Sequence, residues 1–440
     1  MFRKLLIANR GEVAVRVLRS CKELGIRTVA VASAPDLDLG WLSEADEVVR
    51  IGGRRAYLDQ DALLEACRHT GATALHPGWG FLAENAAFAA RCEALGITFV
   101  GPGSRVIRQM GDKVQARRTA LGQKMPLIPG SPGALEDIGL ARTEADRIGY
   151  PVLLKASAGG GGRGMRAVRG PEGLTEAWNS ATSEAVAAFG NGQMYMESLI
   201  EGGRHIEFQV LADRFGRAHH LFERECSIQR RHQKLLEEAP SPAVTETLRR
   251  EMGERVAEMA AGIGYRGAGT VEMLRNRDGE LYFMEMNTRL QVEHCVSEMV
   301  TGWDLVGWQL RIAANHALPE QGPTLRGHAI EARINAEDTD QDFRPCPGRL
   351  TELKLPSGPG LRVETHLRPG DTISPAYDSM VCKLVAWGED REQAMKKLDD
   401  ALAATRIEGV KTTVGLHRRI LAHKGFRAGD YDTTTLEGIL

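Results

Sequence analysis

Phe283-Met284-Glu285-Met286-Asn287-Thr288-Arg289-Leu290-Gln291-Val292-Glu293-His294 places Glu285, Asn287, Arg289, Gln291 and Glu293 at every second position. If the run is extended, these five share one face and the opposite face is mostly apolar. A half-buried strand explains the alternation, but it does not require a polar side made of hard-oxygen ligands, a guanidinium and a terminal carboxylate. Glu285 and Asn287 suit magnesium, Arg289 offers a planar donor fork to an anion, and Glu293 can accept a proton. Glu272, in Gly269-Thr270-Val271-Glu272, can face Glu285 across a hairpin, because Asp278-Gly279 between them is a turn signal. Two facing carboxylates repel unless a cation lies between them, and magnesium bridging nucleotide phosphates is the natural occupant.

Upstream, Pro151-Val152-Leu153-Leu154-Lys155 leads as an apolar strand into Gly159-Gly160-Gly161-Gly162, and Met165 to Val168 leads out as another. Four glycines clear the loop tip of side chains, so backbone N–H groups can close on phosphate oxygens, with Lys155 adding a point charge. The string is neither a Walker loop nor a dinucleotide GxGxxG pattern. Met110-Gly111-Asp112-Lys113 supplies a second lysine. Glu197, ending the apolar run Met194 to Met196, can accept from an adenine amine. Glu223 to Lys234 packs cations beside acceptors but lacks the aromatic interleaving of a nucleic-acid surface.

The N-terminal hundred residues alternate strand and helix. Lys4 to Ala8 reads as a buried strand, Gly11-Glu12 as a turn, Val13 to Leu24 as an amphipathic helix, and Arg27 to Ala32 as a strand. A strand at Ala72 to Leu75, a helix near Glu84 to Leu95 and a strand at Thr98 to Val100 continue a parallel sheet with crossover helices. Asn9-Arg10-Gly11-Glu12 lacks the glycine fingerprint of a nicotinamide site. One helix is predicted over Val106 to Leu121, then a Pro- and Gly-rich linker, Pro126 to Gly133, a small separate lobe to about Gly203, strands at His205 to Leu211 and Gly269 to Leu274 flanking a helix at Thr245 to Ile263, and a final helix at Arg391 to Ala404.

Composition bounds the function. The chain has 440 residues, 42% hydrophobic and 26% charged, with 56 basic against 58 acidic side chains. That is an ordinary soluble composition with no global field for nucleic acid or an anionic membrane, so anion binding must be local. Seven scattered cysteines without a CxxC pair and twelve histidines without HExxH predict neither a disulfide framework nor a zinc site, and point to the cytoplasm. No signal-peptide core or membrane-length apolar stretch is present in the sequence.

Seven strings carry a family resemblance: HPGWGFLAEN (76–85), MGDK (110–113), KASAGGGGRGM (155–165), RECSIQRRHQK (224–234), YRGAGTVE (265–272), FMEMNTRLQVEH (283–294) and EARINAED (331–338). In this order they resemble the biotin carboxylase family of the ATP-grasp superfamily, from Leu5 to about Val414. The resemblance implies an α/β fold, α+β in the ATP-grasp part: a Rossmann-like N-terminal domain (1–110), an ATP-grasp region (111–325) with its lid lobe (131–203), and a C-terminal α+β domain (326–440). It implies that Lys113, Lys155 and the loop of Gly160, Gly161 and Gly162 hold ATP phosphates. Glu197 and the backbone at Ile200 would take adenine, while His205, Gln229 and His232 contact nucleotide. Glu272, Glu285 and Asn287 would bind Mg2+ or Mn2+. Lys234, Arg289, Gln291 and Val292 would form the bicarbonate site, with Glu293 as base and Arg333 beside biotin. The implied reaction makes carboxyphosphate from bicarbonate and ATP, then carboxylates the ureido nitrogen of biotin.

Several positions depart from the family pattern. Trp79 replaces a tyrosine near the biotin pocket, Ser198-Leu199 replaces a lysine and an aromatic, Gly202-Gly203 replaces a stiffer pair, and Cys295 replaces a proline. Arg16, Arg19, Glu23 and Arg362 match a homodimer interface whose usual aromatic is absent, with Pro359 nearby. Ala394-Met395-Lys396-Lys397 superficially resembles a biotinylation site, but its spacing is helical. Biotin is therefore expected on a separate carboxyl carrier protein, with a carboxyltransferase as further partner and the final acceptor open. The alternatives are an ATP-grasp ligase with another acceptor and a nucleotide-binding regulatory homologue without turnover.

Overall fold

The computed structural model describes residues 1–52, 55–157 and 164–440. The N-terminal strands are β1 (Lys4–Ile7), β2 (Arg27–Ala32), β3 (Glu47–Arg50), β4 (Ala74–His76) and β5 (Thr98–Phe99), with α1 (Gly11–Glu23), α2 (Gln60–Thr70) and α3 (Ala86–Ala94) between them. All pairings are parallel, in the order β3-β2-β1-β4-β5. Parallel strands need crossovers, and the helices cover the sheet so that Leu5, Leu6 and Ile7 are fully buried. Gly11-Glu12 is not a turn before the helix but its first residues. Gly11 takes φ +68°, which a glycine adopts without strain, and this starts α1 two residues early.

The single helix predicted over Val106 to Leu121 is two helices, α4 (Ser104–Gly111) and α5 (Lys113–Gly122). Asp112 breaks them: its backbone is extended and its carboxylate accepts from the Gln115 N–H at 2.8 Å, an N-cap that competes with helix continuation. Lys113 consequently opens α5. The Pro126 to Gly133 stretch is paired rather than free. The Phe283 N–H donates to Pro126 O, and the Ser131 N–H donates to Met196 O.

The small lobe contains α6 (Ile138–Ile148), β6 (Val152–Ala156), β7 (Met165–Val168), α7 (Leu174–Phe189) and β8 (Met194–Ser198). Its antiparallel sheet runs β7-β6-β8, with Lys155 opposite Met165 and Glu197 opposite Leu153. The loop predicted to cradle phosphates, including Gly160, Gly161 and Gly162, lies outside the described residues.

An eight-stranded sheet forms the centre. Its members are β9 (Arg204–Ala212), β10 (Ala218–Arg230), β11 (Gln233–Ala239), β12 (Gly267–Arg275), β13 (Leu281–Asn287), β14 (His328–Asn335) and the strands Leu361–Glu364 and Met380–Gly388. The order is β13-β12-β9-β10-β11-β14, then Met380–Gly388 and Leu361–Glu364, with antiparallel pairing throughout. α8 (Glu246–Gly262), capped by Thr245, packs on β9 and β10, while α9 (His294–Thr301) and α10 (Leu305–Ala313) follow β13. The charge-rich run 223–234 is thus not a surface patch but a central hairpin in which Glu223, Arg224 and Glu225 are buried. Arg231 and His232 form its two-residue turn, both with positive φ, as a type I′ hairpin requires. α11 (Arg391–Ala404) takes up Ala394-Met395 as buried core and pairs Lys396 with Asp400, so the apparent biotinylation string is helix. No helix among the described residues is long and apolar enough to cross a membrane.

Buried charge also holds the C-terminal part. Glu238 on β11 accepts from Arg391 and from the Tyr431 hydroxyl, and lies against His328. Burial opposes its charge, yet His328 and Arg391 hold its pKa down, from 4.5 to about 2. A depressed carboxylate stabilises the fold above its unfolded pKa and loses that contribution as pH falls from 4.5 toward 2, about 3 kcal/mol in all. Glu238→Gln is therefore expected to lower the thermal midpoint at pH 7, with the gap to the parent narrowing at pH 4 and below. A gap that stays constant across that range would show that the carboxylate charge is not what matters.

Candidate active site

Strand β13 ends at Asn287, so the extended face predicted through Glu293 does not exist. Residues 288–293 leave the ladder because other groups take their backbone: the Thr288 N–H donates to Glu84 Oε1 at 2.9 Å, and Glu293 sits at the start of α9. The alternate side chains converge nevertheless. Arg289 donates to Asn287 Oδ1 at 3.1 Å and to Gln291 Oε1 at 3.0 Å, and its Nε donates to Glu84 Oε2 at 2.7 Å. Gln291 donates to Glu272 Oε1 at 3.2 Å. Side-chain hydrogen bonds replace sheet periodicity as the organising force.

At the centre stands Lys234, brought in by β11 directly opposite Gln229. Its Nζ donates to Glu207 at 2.5 Å, Glu272 at 2.9 Å and Glu293 at 2.7 Å. Burial opposes the ammonium, but the three carboxylates prevail and hold its pKa well above the usual lysine range. Glu293 is fully buried, with Oε1 on Lys234 and Oε2 accepting from Arg333 at 2.9 Å. Burial alone would raise its pKa; Lys234, Arg333 and Arg224 override this and keep it well below the carboxylate norm. Arg333 also pairs with Glu237, whose pKa burial pushes up to about 8.

The residues expected to hold a metal are partly brought together. Glu272 and Glu285 are cross-strand partners on β12 and β13, as the turn at Asp278-Gly279 predicts. Burial first, and then the Glu272 charge, raise the pKa of Glu285, while Lys234 and His205 hold Glu272 low. Asn287 is buried with Nδ2 lacking a partner among the described residues. A carboxylate destabilised by its neighbour, beside an amide oxygen, fits a divalent cation. His205, 3.3 Å from Glu272, also groups with Glu207 and Glu272 at ligand distances within 4.8 Å.

Lys113 opens α5 toward this centre. Burial lowers its pKa, with Glu285, Glu197 and Glu272 near enough to favour the charge and Lys155 opposing it. Lys155 and Glu197, given separate roles on phosphate and adenine, are ion-paired with each other across β6 and β8, and Arg117 donates to the second Glu197 oxygen at 3.2 Å. Ile200 lies in the loop after β8. His232, at the exposed hairpin turn, has its pKa lowered by burial and by the charges of His205 and Lys155. Trp79 is tied down by its neighbours: Asn9 donates to Pro77 O and Trp79 O, and the indole donates to Glu12 at 3.1 Å. Gly78 must be glycine there, since a Cβ would meet Asn9 Nδ2 at 2.7 Å. Val292 is buried, and its carbonyl accepts from Lys383 at 2.6 Å. Glu207, Arg224, Glu237, Glu84 and Lys383 are the members that sequence reasoning missed.

The family description "Biotin carboxylase, N-terminal domain" matches residues 1–107, "Carbamoyl-phosphate synthase L chain, ATP binding domain" residues 112–321, and "Biotin carboxylase C-terminal domain" residues 331–438. The biotin carboxylase of Haemophilus influenzae is 50% identical over 443 residues, covering 99% of this chain and 98% of its own length. The chain belongs to the biotin carboxylase family. The biotin carboxylase domain dimer of Hydrogenobacter thermophilus 2-oxoglutarate carboxylase, solved with MgADP, ADP and bicarbonate, superposes with a TM-score of 0.97 at 47% identity, covering 100% of this chain and 98% of that one. The biotin carboxylase of Campylobacter jejuni with a β,γ-ATP ligand gives 0.97 at 45%, covering 100% and 99%. The ATP-grasp architecture inferred from the sequence is that of these biotin carboxylases.

Proposed function

We infer that the chain uses ATP and bicarbonate to make carboxyphosphate and carboxylates biotin presented by a separate carrier protein. The observation that carries this is the grip on Glu293, one carboxylate oxygen on Lys234 and the other on Arg333. Bicarbonate is a weak nucleophile, so its proton must leave as oxygen attacks the γ-phosphate. An anion entering beside Lys234 competes with Glu293 for the ammonium. Weakening that contact raises the basicity of Glu293 and readies it to take the proton. Arg289, Gln291 and the backbone at Val292 orient the anion in line with the phosphate.

Glu272, Glu285 and Asn287 would hold Mg2+ or Mn2+, which supplies charge neutralisation of the phosphates when bound. Lys113, Lys155, the glycine loop, His205, Gln229 and His232 serve the nucleotide, with Glu197 and Ile200 at its base. For Lys155 and Glu197 to act there, nucleotide must draw the lysine toward phosphate and free a carboxylate oxygen for adenine. After carboxyphosphate releases CO2, the basic phosphate deprotonates the ureido nitrogen, Arg333 stabilises the resulting enolate, and Trp79 walls the biotin pocket. A homodimer, a carboxyltransferase partner and a cytoplasmic setting complete the proposal. Arg16 is buried against Glu298 and Asp304, whereas Glu23 and Arg19, which also donates to Glu364, are exposed on α1 where a partner copy can reach them.

The test is ADP release by the purified chain with bicarbonate and free biotin added singly and together. Turnover should require bicarbonate and rise further with biotin. ATP cleavage indifferent to bicarbonate, or stimulated only by another acceptor, would remove the biotin assignment.

A further inference from the structure

Lys383 lies mid-strand in Met380–Gly388 with no exposed surface. An ammonium there is costly unless fully paired, and a methionine would fill similar space without that cost. Its Nζ donates to Val292 O at 2.6 Å, stands 3.3 Å from Cys295 Sγ and pairs with Glu12 Oε2 at 3.4 Å. The other Glu12 oxygen accepts from the Trp79 indole. Glu364, opposite Lys383 on the neighbouring strand, is already taken by Arg19 and Arg362.

The register adds a second relation. Arg333 on β14 is the direct cross-strand partner of Lys383. Paired positions therefore send two cations to consecutive residues, Lys383 to the carbonyl of Val292 and Arg333 to the carboxylate of Glu293. Residues 288–293 have no ladder to fix them, so such anchors determine their path. Because the peptide is planar, holding Val292 O also fixes the direction of the Glu293 N–H.

Resting on the assignment of Val292 and Glu293 to the bicarbonate subsite, we propose that Lys383 is a positioning residue for that subsite. It fixes the Val292 peptide and, through Glu12, ties it to Trp79 in the N-terminal domain. Two positions that depart from the family pattern, Trp79 and Cys295, are thereby joined through one buried lysine.

The experiment is steady-state ADP release by Lys383→Met with bicarbonate and ATP varied separately. The KM for bicarbonate should rise about tenfold, equivalent to about 1.4 kcal/mol, while the KM for ATP stays at the parent value. An unchanged bicarbonate KM, or a rise in both constants together, overturns the proposal, since a purely structural lysine would not separate them. If Lys383→Met fails to fold, Glu12→Gln decides. It keeps an acceptor for Trp79 but removes the charge facing Lys383. A smaller rise in bicarbonate KM alone supports the proposal, and none overturns it. A parent enzyme without bicarbonate dependence would instead sink the underlying functional assignment, a result visible before any variant is made.

Discussion

Glu293→Gln is expected to reduce biotin carboxylation by about 10²- to 10⁴-fold, the range a positioned general base supplies, while nucleotide binding persists. Glutamine keeps the shape of the side chain and can still accept from Lys234 or Arg333, but it cannot take a proton from bicarbonate. The surrounding charges remain compensated. Lys234 retains Glu207 and Glu272, and Arg333 retains Glu237, so the variant should fold. Fixation of labelled bicarbonate into free biotin, run beside calorimetric titration with ATP, separates the two functions. Parent-level fixation would show that Glu293 is not the base, and loss of ATP binding with it would show that the residue is architectural.

The parts of this molecule that were legible in the sequence are those set by local rules. The strand Arg27–Ala32 and the helix Arg391–Ala404 end where their apolar period and caps end, with Asp390 accepting from the Gln393 N–H. The pairing of Glu272 with Glu285 is the one that Asp278-Gly279 predicts, although the strands are joined by residues 276–280 and a register shift between Glu272 and Met273 brings the two carboxylates opposite. Where a side chain outbid the backbone, sequence periodicity misled: Asp112 split a helix, and Glu84, about two hundred residues away, drew the chain out of β13. The candidate residues on 285–293 were expected on one strand face, whereas the strand ends at Asn287 and hydrogen bonds among Arg289, Asn287, Gln291 and Glu272 bring them together. Glu207, Arg224 and Glu237 were missed for a different reason. A run of charges normally marks a solvated face, and their burial depends on partners from other strands. Glu207 faces both Arg224 and Glu272 only because β9 lies between β10 and β12. The one available hint was Arg224-Glu225-Cys226-Ser227-Ile228, where a cysteine and an isoleucine interrupt the charges.

Arg224→Met is expected to destabilise the protein by about 3–5 kcal/mol, the cost of leaving a buried ion pair without one member. Arg224 has no exposed surface, and its guanidinium donates to Glu207 at 2.6 Å, Gln209 at 2.7 Å, Ser297 at 2.9 Å and Thr270 at 3.1 Å. It thus pins β9, β10, β12 and α9 beneath the site. Methionine fills much of the volume, so the loss reports charge and hydrogen bonding rather than a cavity. The double variant Arg224→Met with Glu207→Gln should recover part of the loss, because Glu207 Oε1 loses its partner with Arg224 while Oε2 stays on Lys234, and glutamine carries no charge to leave half-paired. Urea unfolding free energies of the parent, the two single variants and the double variant give the coupling. A second readout concerns catalysis. Arg224 is among the cations that depress Glu293, so its removal should raise the pKa of that carboxylate and, if Glu293 is the base proposed above, move the acid limb of the bicarbonate-dependent rate to higher pH. A loss below about 1 kcal/mol, the range of an exposed pair, together with an unmoved acid limb, would mean that Arg224 neither holds the strands together nor sets the field at Glu293.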